Sequence, residues 1–339
     1  MPSFERESQR IVIAGASSLL GAELKSLLEE SRFAGWDLRL VDEEVAAGTL
    51  TEAGGEPAVI QPVEEGSFER ARLLFFTGSP EFTRRNIGAA MQSGGRIIDL
   101  SGAAFDETET EVWFPEIESF RKRAFHPQAA MFATPSAAGL AVIALSFALR
   151  ELGLQYLSAV CFQPVSESGR GGIEELESQT GQLLALQSVG KPFFDAQVAF
   201  NLLNRFGAEA SQKLAKVRER VRMEARVLLD GADLVPAIQV VHAPVFYGTA
   251  FAASARFDPL ASGLNLETIE AACKSAGFVI AAGSEDAPSN VSVAGEKSIH
   301  LAAPEPDSGR RDTWWFWGAA DNIRLPAWNA VKLAEKLAE

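Results

Sequence analysis

The stretch from Arg10 to Glu30 constrains the fold more than any other part of the chain. An apolar run, Arg10–Ala14, passes through Gly15-Ala16-Ser17-Ser18-Leu19-Leu20-Gly21 directly into a helical period over Leu20–Glu30. A buried strand that turns at once into an amphipathic helix opens a crossover unit, and the strand that follows lies parallel to the first. Leu38–Val41 reads as that second strand. Leu73–Phe76 is another strand, and a helix then opens near Pro80 and ends at Gly94-Gly95, where glycine supplies a left-handed cap. Arg96–Leu100 closes the series. Strands alternating with helices predict an α/β fold with a parallel, Rossmann-like sheet.

The same turn predicts a cofactor. In dinucleotide-binding folds the first glycine makes the strand-to-helix turn, a middle glycine admits the pyrophosphate, and the last allows close helix–strand packing. Ser18 stands in the middle position. Its backbone N–H and hydroxyl still offer donors at a helix N-terminus, although its side chain narrows the approach. The candidate cofactor contacts here are Gly15, Ser17, Ser18, Leu19, Leu20 and Gly21. Asp42 follows about twenty residues later at the end of the second strand, where a carboxylate accepts from the ribose hydroxyls of NAD. With Glu43 and Glu44 beside it, a 2′-phosphate is repelled, so NAD is favoured over NADP. The alternative is that the acidic run is a solvated loop with no bearing on cofactors.

After Pro135 the pattern changes. A long apolar helix over Ala138–Leu152 leads into a strand at Tyr156–Val165. Ile238–Val245 and Ala250–Phe257 form a pair of strands separated by Tyr247-Gly248-Thr249, and an aromatic strand, Trp314–Trp317, precedes a final helix, Ala327–Leu337. This half reads as an α+β domain with a mixed sheet. Lys213–Arg226 reads as a solvated helix on which Leu214, Val217 and Val221 recur at helical spacing, and Ala302–Arg311 reads as a surface loop. The tryptophan strand belongs to a core or an interface.

Charge and composition exclude several classes of function. The 45 acidic and 31 basic side chains give a net charge of -14, which argues against a nucleic-acid partner or an anionic lipid surface. The N-terminal MPSFERESQR does not resemble a signal peptide, and the apolar stretch Ala137–Leu149 is shorter than the roughly 20 residues a bilayer span needs. A cytoplasmic protein is expected. Cys161 and Cys273 sit singly in apolar runs and read as buried reduced thiols, while His126 and His300 lack metal-ligand spacing, so no metal site is expected.

An ordered series of motifs then covers nearly the whole chain. IAGASSLLGAEL, Thr77-Gly78-Ser79, Ile97-Ile98-Asp99-Leu100-Ser101, Phe132-Ala133-Thr134-Pro135-Ser136-Ala137, the run Ser166 to Leu176, Ala199-Phe200-Asn201, Ala243 to Thr249, and Ala320-Asp321-Asn322-Ile323-Arg324 follow one another. In that order they resemble the aspartate-semialdehyde dehydrogenase family. The resemblance implies a Rossmann-like domain over residues 1–133 and 322–339, and an α+β substrate and dimerisation domain over 134–321. It also implies a homodimer. Thr77, Gly78, Ser168, Gly169 and Asn322 join the implied cofactor contacts, while Ser101, Glu175, Arg220 and His242 fall in the implied substrate pocket.

That family interconverts an acyl phosphate and a semialdehyde through a cysteine thioester, exchanging hydride with a nicotinamide. The chemistry needs a thiolate, a base and oxyanion donors. By position, the nucleophile slot is Ala137 and the base slot is Thr249, and neither can serve. The substrate-phosphate arginine maps to Asp106 and the substrate-carboxylate arginine to His242, whereas the orienting glutamine survives as Gln163. Adjacent Ser136 lacks a histidine to activate it, and Cys161 reads as an ordinary buried thiol. The leading reading is an NAD(P)-binding family member without thioester chemistry. Two others stay open: an NAD-dependent oxidoreductase working by non-covalent hydride transfer, and a structural or interaction protein with a vestigial cofactor site.

Overall fold

A computed structural model describes residues 9–43, 48–53, 56–107, 109–120, 124–229, 235–260, 263–281 and 287–339, without the side chains at 53, 56, 106 and 119. Glu44 and residues 1–8 of the polar N-terminus lie outside the described residues. The chain divides into two compact units. The first comprises Met1–Pro115, Lys122–Thr134 and Pro326–Glu339, and the second Glu116–Arg121 and Pro135–Leu325.

In the first unit the opening motif folds as β1 (Arg10–Ala14), α1 (Leu19–Glu29) and β2 (Asp37–Asp42). A two-stranded antiparallel hairpin, β3 (Leu50–Ala53) with β4 (Glu56–Val59), precedes β5 (Gln61–Pro62), β6 (Ala71–Phe76), α2 (Pro80–Gln92) and β7 (Arg96–Asp99). β8 (Thr110–Val112) and β9 (Met131–Ala133) complete a seven-stranded sheet in the order β5-β2-β1-β6-β7-β9-β8. Every pairing in it is parallel. Ile11, Val12, Ile13, Leu74, Phe75 and Phe76 are fully buried, as strands covered on both faces require. The series does not close at Arg96–Leu100: two three-residue strands extend the sheet past β7, each too short to show a period.

In the second unit α3 (Ala137–Arg150) is buried almost all round, and its continuous apolar sequence follows from that. β10 (Leu154–Gln163), α4 (Gly169–Leu184), α5 (Leu214–Leu228), β11 (Ala237–His242), β12 (Thr249–Phe257), α6 (Leu266–Ser275), β13 (Phe278–Ile280), β14 (Ile299–Leu301), β15 (Glu305–Pro306) and β16 (Thr313–Ala320) follow. The sheet runs β11-β10-β12-β16-β14-β13, with β15 also paired to β16. β10 pairs parallel to β11 and antiparallel to β12, so the sheet is mixed, and the two strands around Tyr247-Gly248 flank β10 rather than each other. β10, β12 and β16 alternate between buried and outward residues, leaving one face of the sheet open. The loop expected at Ala302–Arg311 contributes the short edge strand β15. The last helix, α7 (Arg324–Leu337), begins three residues before the expected start.

Candidate functional site

Each unit carries its own constellation. In the first, Gly15 has φ +91°, and a Cβ there would lie 2.2 Å from the Gly78 nitrogen, so the turn after β1 and the loop after β6 touch backbone to backbone. Only glycine satisfies both conditions. Ser18 caps α1: its Oγ accepts from the Gly21 N–H at 2.9 Å and donates to the Thr77 carbonyl at 2.9 Å. The Thr77 hydroxyl donates to the Gly15 carbonyl at 3.0 Å. The serine in the middle glycine position therefore ties the two loops together. The first amides of α1, Leu19 and Leu20, have no intrahelical acceptor, which is the arrangement that receives a phosphate at a helix start. These residues fit the pyrophosphate of a dinucleotide.

Asp42 is 6% exposed and turns into the loop. Its Oδ2 accepts from the Ser17 N–H and its Oδ1 from the Glu43 N–H, both at 2.8 Å. The carboxylate thus shapes the turn, a role that spacing alone did not reveal. Glu43 pairs with Arg85 on α2. Ser101 is likewise internal: its hydroxyl donates to Asp99 at 2.6 Å and accepts from the Ala103 N–H, and both residues are buried. The Ser101 amide also donates to Asp99 Oδ1 at 2.9 Å, and the Ala104 amide donates to the other carboxylate oxygen at 2.8 Å. Asp106 ends the 3-10 turn Ala103–Asp106.

In the second unit Ala137 is the first residue of α3 and has no exposed surface. Ser136 caps the helix, accepting from the Gly139 N–H at 3.1 Å. The buried carboxylate of Glu224, from α5, sits against this helix start. It accepts from the Ser136 hydroxyl at 2.7 Å, the Ser136 N–H at 3.1 Å and the Arg220 Nε at 2.8 Å. A Cβ on Gly139 would lie 1.9 Å from its Oε2, so this glycine makes room for the carboxylate. A negative charge is favoured at a helix N-terminus, and here the chain supplies its own. Glu224 was missed in the sequence, where the helix read as solvated. The signal was present, since Glu224 falls three residues after Val221 on the apolar stripe.

The Cys161 thiol is pushed up from 9.0 to about 12 by burial and then by the Glu224 charge, which makes it a poor nucleophile. Thr249 is buried at the start of β12, opposite Ala320. Asn322 Oδ1 accepts from the Gly248 N–H at 2.8 Å, and its Nδ2 donates to Ser166 Oγ at 3.0 Å. Burial raises the pKa of Glu167, opposed by the Arg220 charge and a hydrogen bond with Asn322, while Glu224 pushes it further up. Gln163 and Ser168 both donate to Gln212, and Gln163 Oε1 is buried with no partner. Gly169 opens α4 at φ +72° with open space around it.

Glu175 and His242 both have hydrogen-bond partners within the second unit. Glu175 accepts from the Phe193 and Phe194 amides and from Gln179, so it holds the loop after α4. His242 is 1% exposed, beside the Phe194 and Phe206 rings, with Nε2 3.1 Å from the Val198 carbonyl. Burial lowers its pKa against the raising effect of that hydrogen bond. A neutral imidazole packed this way cannot replace an arginine that binds a carboxylate. Among the described residues no cluster of histidine, cysteine and acidic side chains suits a metal ion, and no helix is long and apolar enough to cross a membrane.

Residues 147–325 match the family model for the semialdehyde dehydrogenase dimerisation domain. A USG-1 protein homolog from Azotobacter vinelandii is 30% identical over 337 residues, covering 96% of this chain and 97% of the relative. The structure of a probable aspartate-semialdehyde dehydrogenase from Pseudomonas aeruginosa superposes with a TM-score of 0.85 at 25% identity, covering 97% of this chain and 98% of that one. The Candida albicans aspartate semialdehyde dehydrogenase, solved with NADP, shares the fold at a TM-score of 0.66 and 14% identity, covering 97% and 98%.

Proposed function

The chain belongs to the semialdehyde dehydrogenase family, and from that premise we propose that it binds a nicotinamide dinucleotide and self-associates without the family's cysteine-thioester reaction. One observation carries the reading. The nucleophile slot holds a fully buried alanine, at a helix start whose anion position is filled by the Glu224 carboxylate. Thr249 in the base slot has no group that accepts a proton near neutral pH. Ser136, beside the empty slot, is committed to Glu224 and to the Gly139 amide.

A dinucleotide would be held at the Gly15–Gly21 turn, its pyrophosphate by the Leu19 and Leu20 amides, with Thr77 and Gly78 packed against that turn. When bound, the group supplies a hydride carrier; the chain supplies no covalent partner for an acyl group. In this reading the dinucleotide-binding domain spans residues 1–133 and 322–339, and the substrate and dimerisation domain spans 134–321. NAD is preferred over NADP because Asp42 and Glu43 stand at the end of β2. The protein works in the cytoplasm as a homodimer.

The test is binding and turnover on the natural chain beside the double change Ala137→Cys, Thr249→His. NAD is expected to raise the melting temperature of both proteins, since a ligand of the native state must stabilise it. Neither is expected to turn over semialdehydes with phosphate, nor acyl phosphates with reduced cofactor. Turnover by the natural chain would overturn the reading, and a failure to bind either dinucleotide would leave an interaction protein with a vestigial site.

A further inference from the structure

Building on the reading that the first unit holds a nicotinamide dinucleotide, we propose that the Glu43–Arg85 ion pair sets the choice between NAD and NADP. Glu43 acts by neutralising a guanidinium that would otherwise take the 2′-phosphate. In the parallel sheet, β2 and β6 flank β1 on opposite sides, so the strand order reverses there and the ligand crevice opens beyond the carboxyl ends of these strands. Glu43 is the first residue past β2. Arg85 lies on the second turn of α2, which begins soon after β6 ends. Their ion pair therefore runs from the β2 side of the crevice to the β6 side.

Asp42 cannot make this choice alone. Both its oxygens already serve backbone amides, those of Ser17 and Glu43, and it is turned away from solvent. Glu43 and Arg85 are both substantially exposed, and Arg85 is steadied by its Nε, which donates to the Glu81 carbonyl of its own helix at 3.4 Å. A guanidinium fork is the side chain best matched to a phosphate. While Glu43 holds it, the pair is neutral and a 2′-phosphate meets unfavourable carboxylates. With residue 43 uncharged, the same guanidinium becomes a phosphate receptor. Discrimination by this pair is electrostatic and requires no change in the loop.

Titration calorimetry with NAD and with NADP on the full chain tests this, using the natural protein, Glu43→Gln, Arg85→Ala and the double variant. Glu43→Gln is expected to tighten NADP binding about tenfold, the worth of one hydrogen bond to a charged group, while leaving NAD nearly unchanged. The double variant is expected to lose that gain. An unchanged NADP-to-NAD ratio in Glu43→Gln, a gain that survives Arg85→Ala, or a natural protein that prefers NADP through Arg85 would each overturn the proposal. A natural protein that binds neither dinucleotide would overturn the dinucleotide reading and this proposal together, whereas NAD binding with an unmoved ratio would overturn this proposal alone.

Discussion

Glu224 couples the capping serine of α3, the glycine in the first turn of that helix, and Arg220 one turn earlier on its own helix. Glu224→Ala removes the acceptor for the Ser136 amide and hydroxyl and takes one carboxylate partner from Arg220. Breaking a buried pair is costly, but the Arg220 side chain is 28% exposed and water recovers part of the loss, so about 2–4 kcal/mol is expected. Gly139→Ala drives a methyl into Glu224 and is expected to cost a similar amount in the natural background, yet much less beside Glu224→Ala. A urea double-mutant cycle measures the coupling, and additive costs would refute the contact. His242 makes a different, pH-dependent prediction. Its folded pKa lies below the unfolded value of 6.5, so between those two values the unfolded chain binds more protons. Stability is therefore retained above pH 6.5 and lost as pH falls through the depressed folded pKa. His242→Gln should flatten this part of the acid limb, and urea midpoints collected from pH 7.5 down to 4.5 on both proteins check it.

At the scale of elements, α1 shows how a helix cap and a tie between two loops share one residue. Ser18→Ala removes the acceptor for the Gly21 amide and the tie to Thr77, and is expected to cost about 1 kcal/mol. Ser18→Gly keeps a permissive cap and should cost less while opening the approach to the turn. Chemical denaturation ranks the three proteins, and equal midpoints for serine and alanine would remove the capping role. β1, α1, β2, β6 and α2 were legible because strong periods meet tight, chemically specific turns: Gly15 after β1, and Ser79-Pro80 before α2. The short β8 and β9 were not, since three residues carry no period and their pairing is decided by the neighbouring strands. The same logic divides the site. The Gly15–Gly21 turn is local and was readable, whereas the commitments of Asp42, Glu175 and His242 depend on backbone partners distant in sequence that only the folded chain brings near.

For the whole molecule, the open face of the mixed sheet is the feature that the proposed homodimer explains. Strand register lines up Ser158, Ser254 and Trp315 in one row and Val160, Ala252 and Trp317 in the next. Trp315 and Trp317 are 48% and 39% exposed, although the strand's other aromatic residues, Trp314 and Phe316, are buried. Both exposed indoles have their N–H satisfied within the chain, Trp315 by Asp307 at 2.8 Å and Trp317 by the Pro288 carbonyl at 2.7 Å. What they offer outward is apolar ring surface with its orientation already fixed, which lowers the ordering cost of burying it. Along that face Arg256 of β12 lies over the Tyr156 ring of β10, β12 presents Ala252 and Ser254, and the Phe162 ring of β10 packs 6.0 Å from the Trp317 ring. A second copy covering this face by a two-fold operation would bring the same residues from both chains together. Under that arrangement a charge at the centre of the face is repeated across the axis and meets its own copy. Ala252→Arg and Trp315→Glu are each expected to shift the protein from dimer to monomer at micromolar concentration, as read by light scattering on a sizing column, with the far-ultraviolet circular dichroism unchanged. The natural protein should also show blue-shifted tryptophan emission that moves to the red in the monomeric variants. A natural chain that elutes as a monomer, or charged variants that remain dimeric, would remove this face from the assembly.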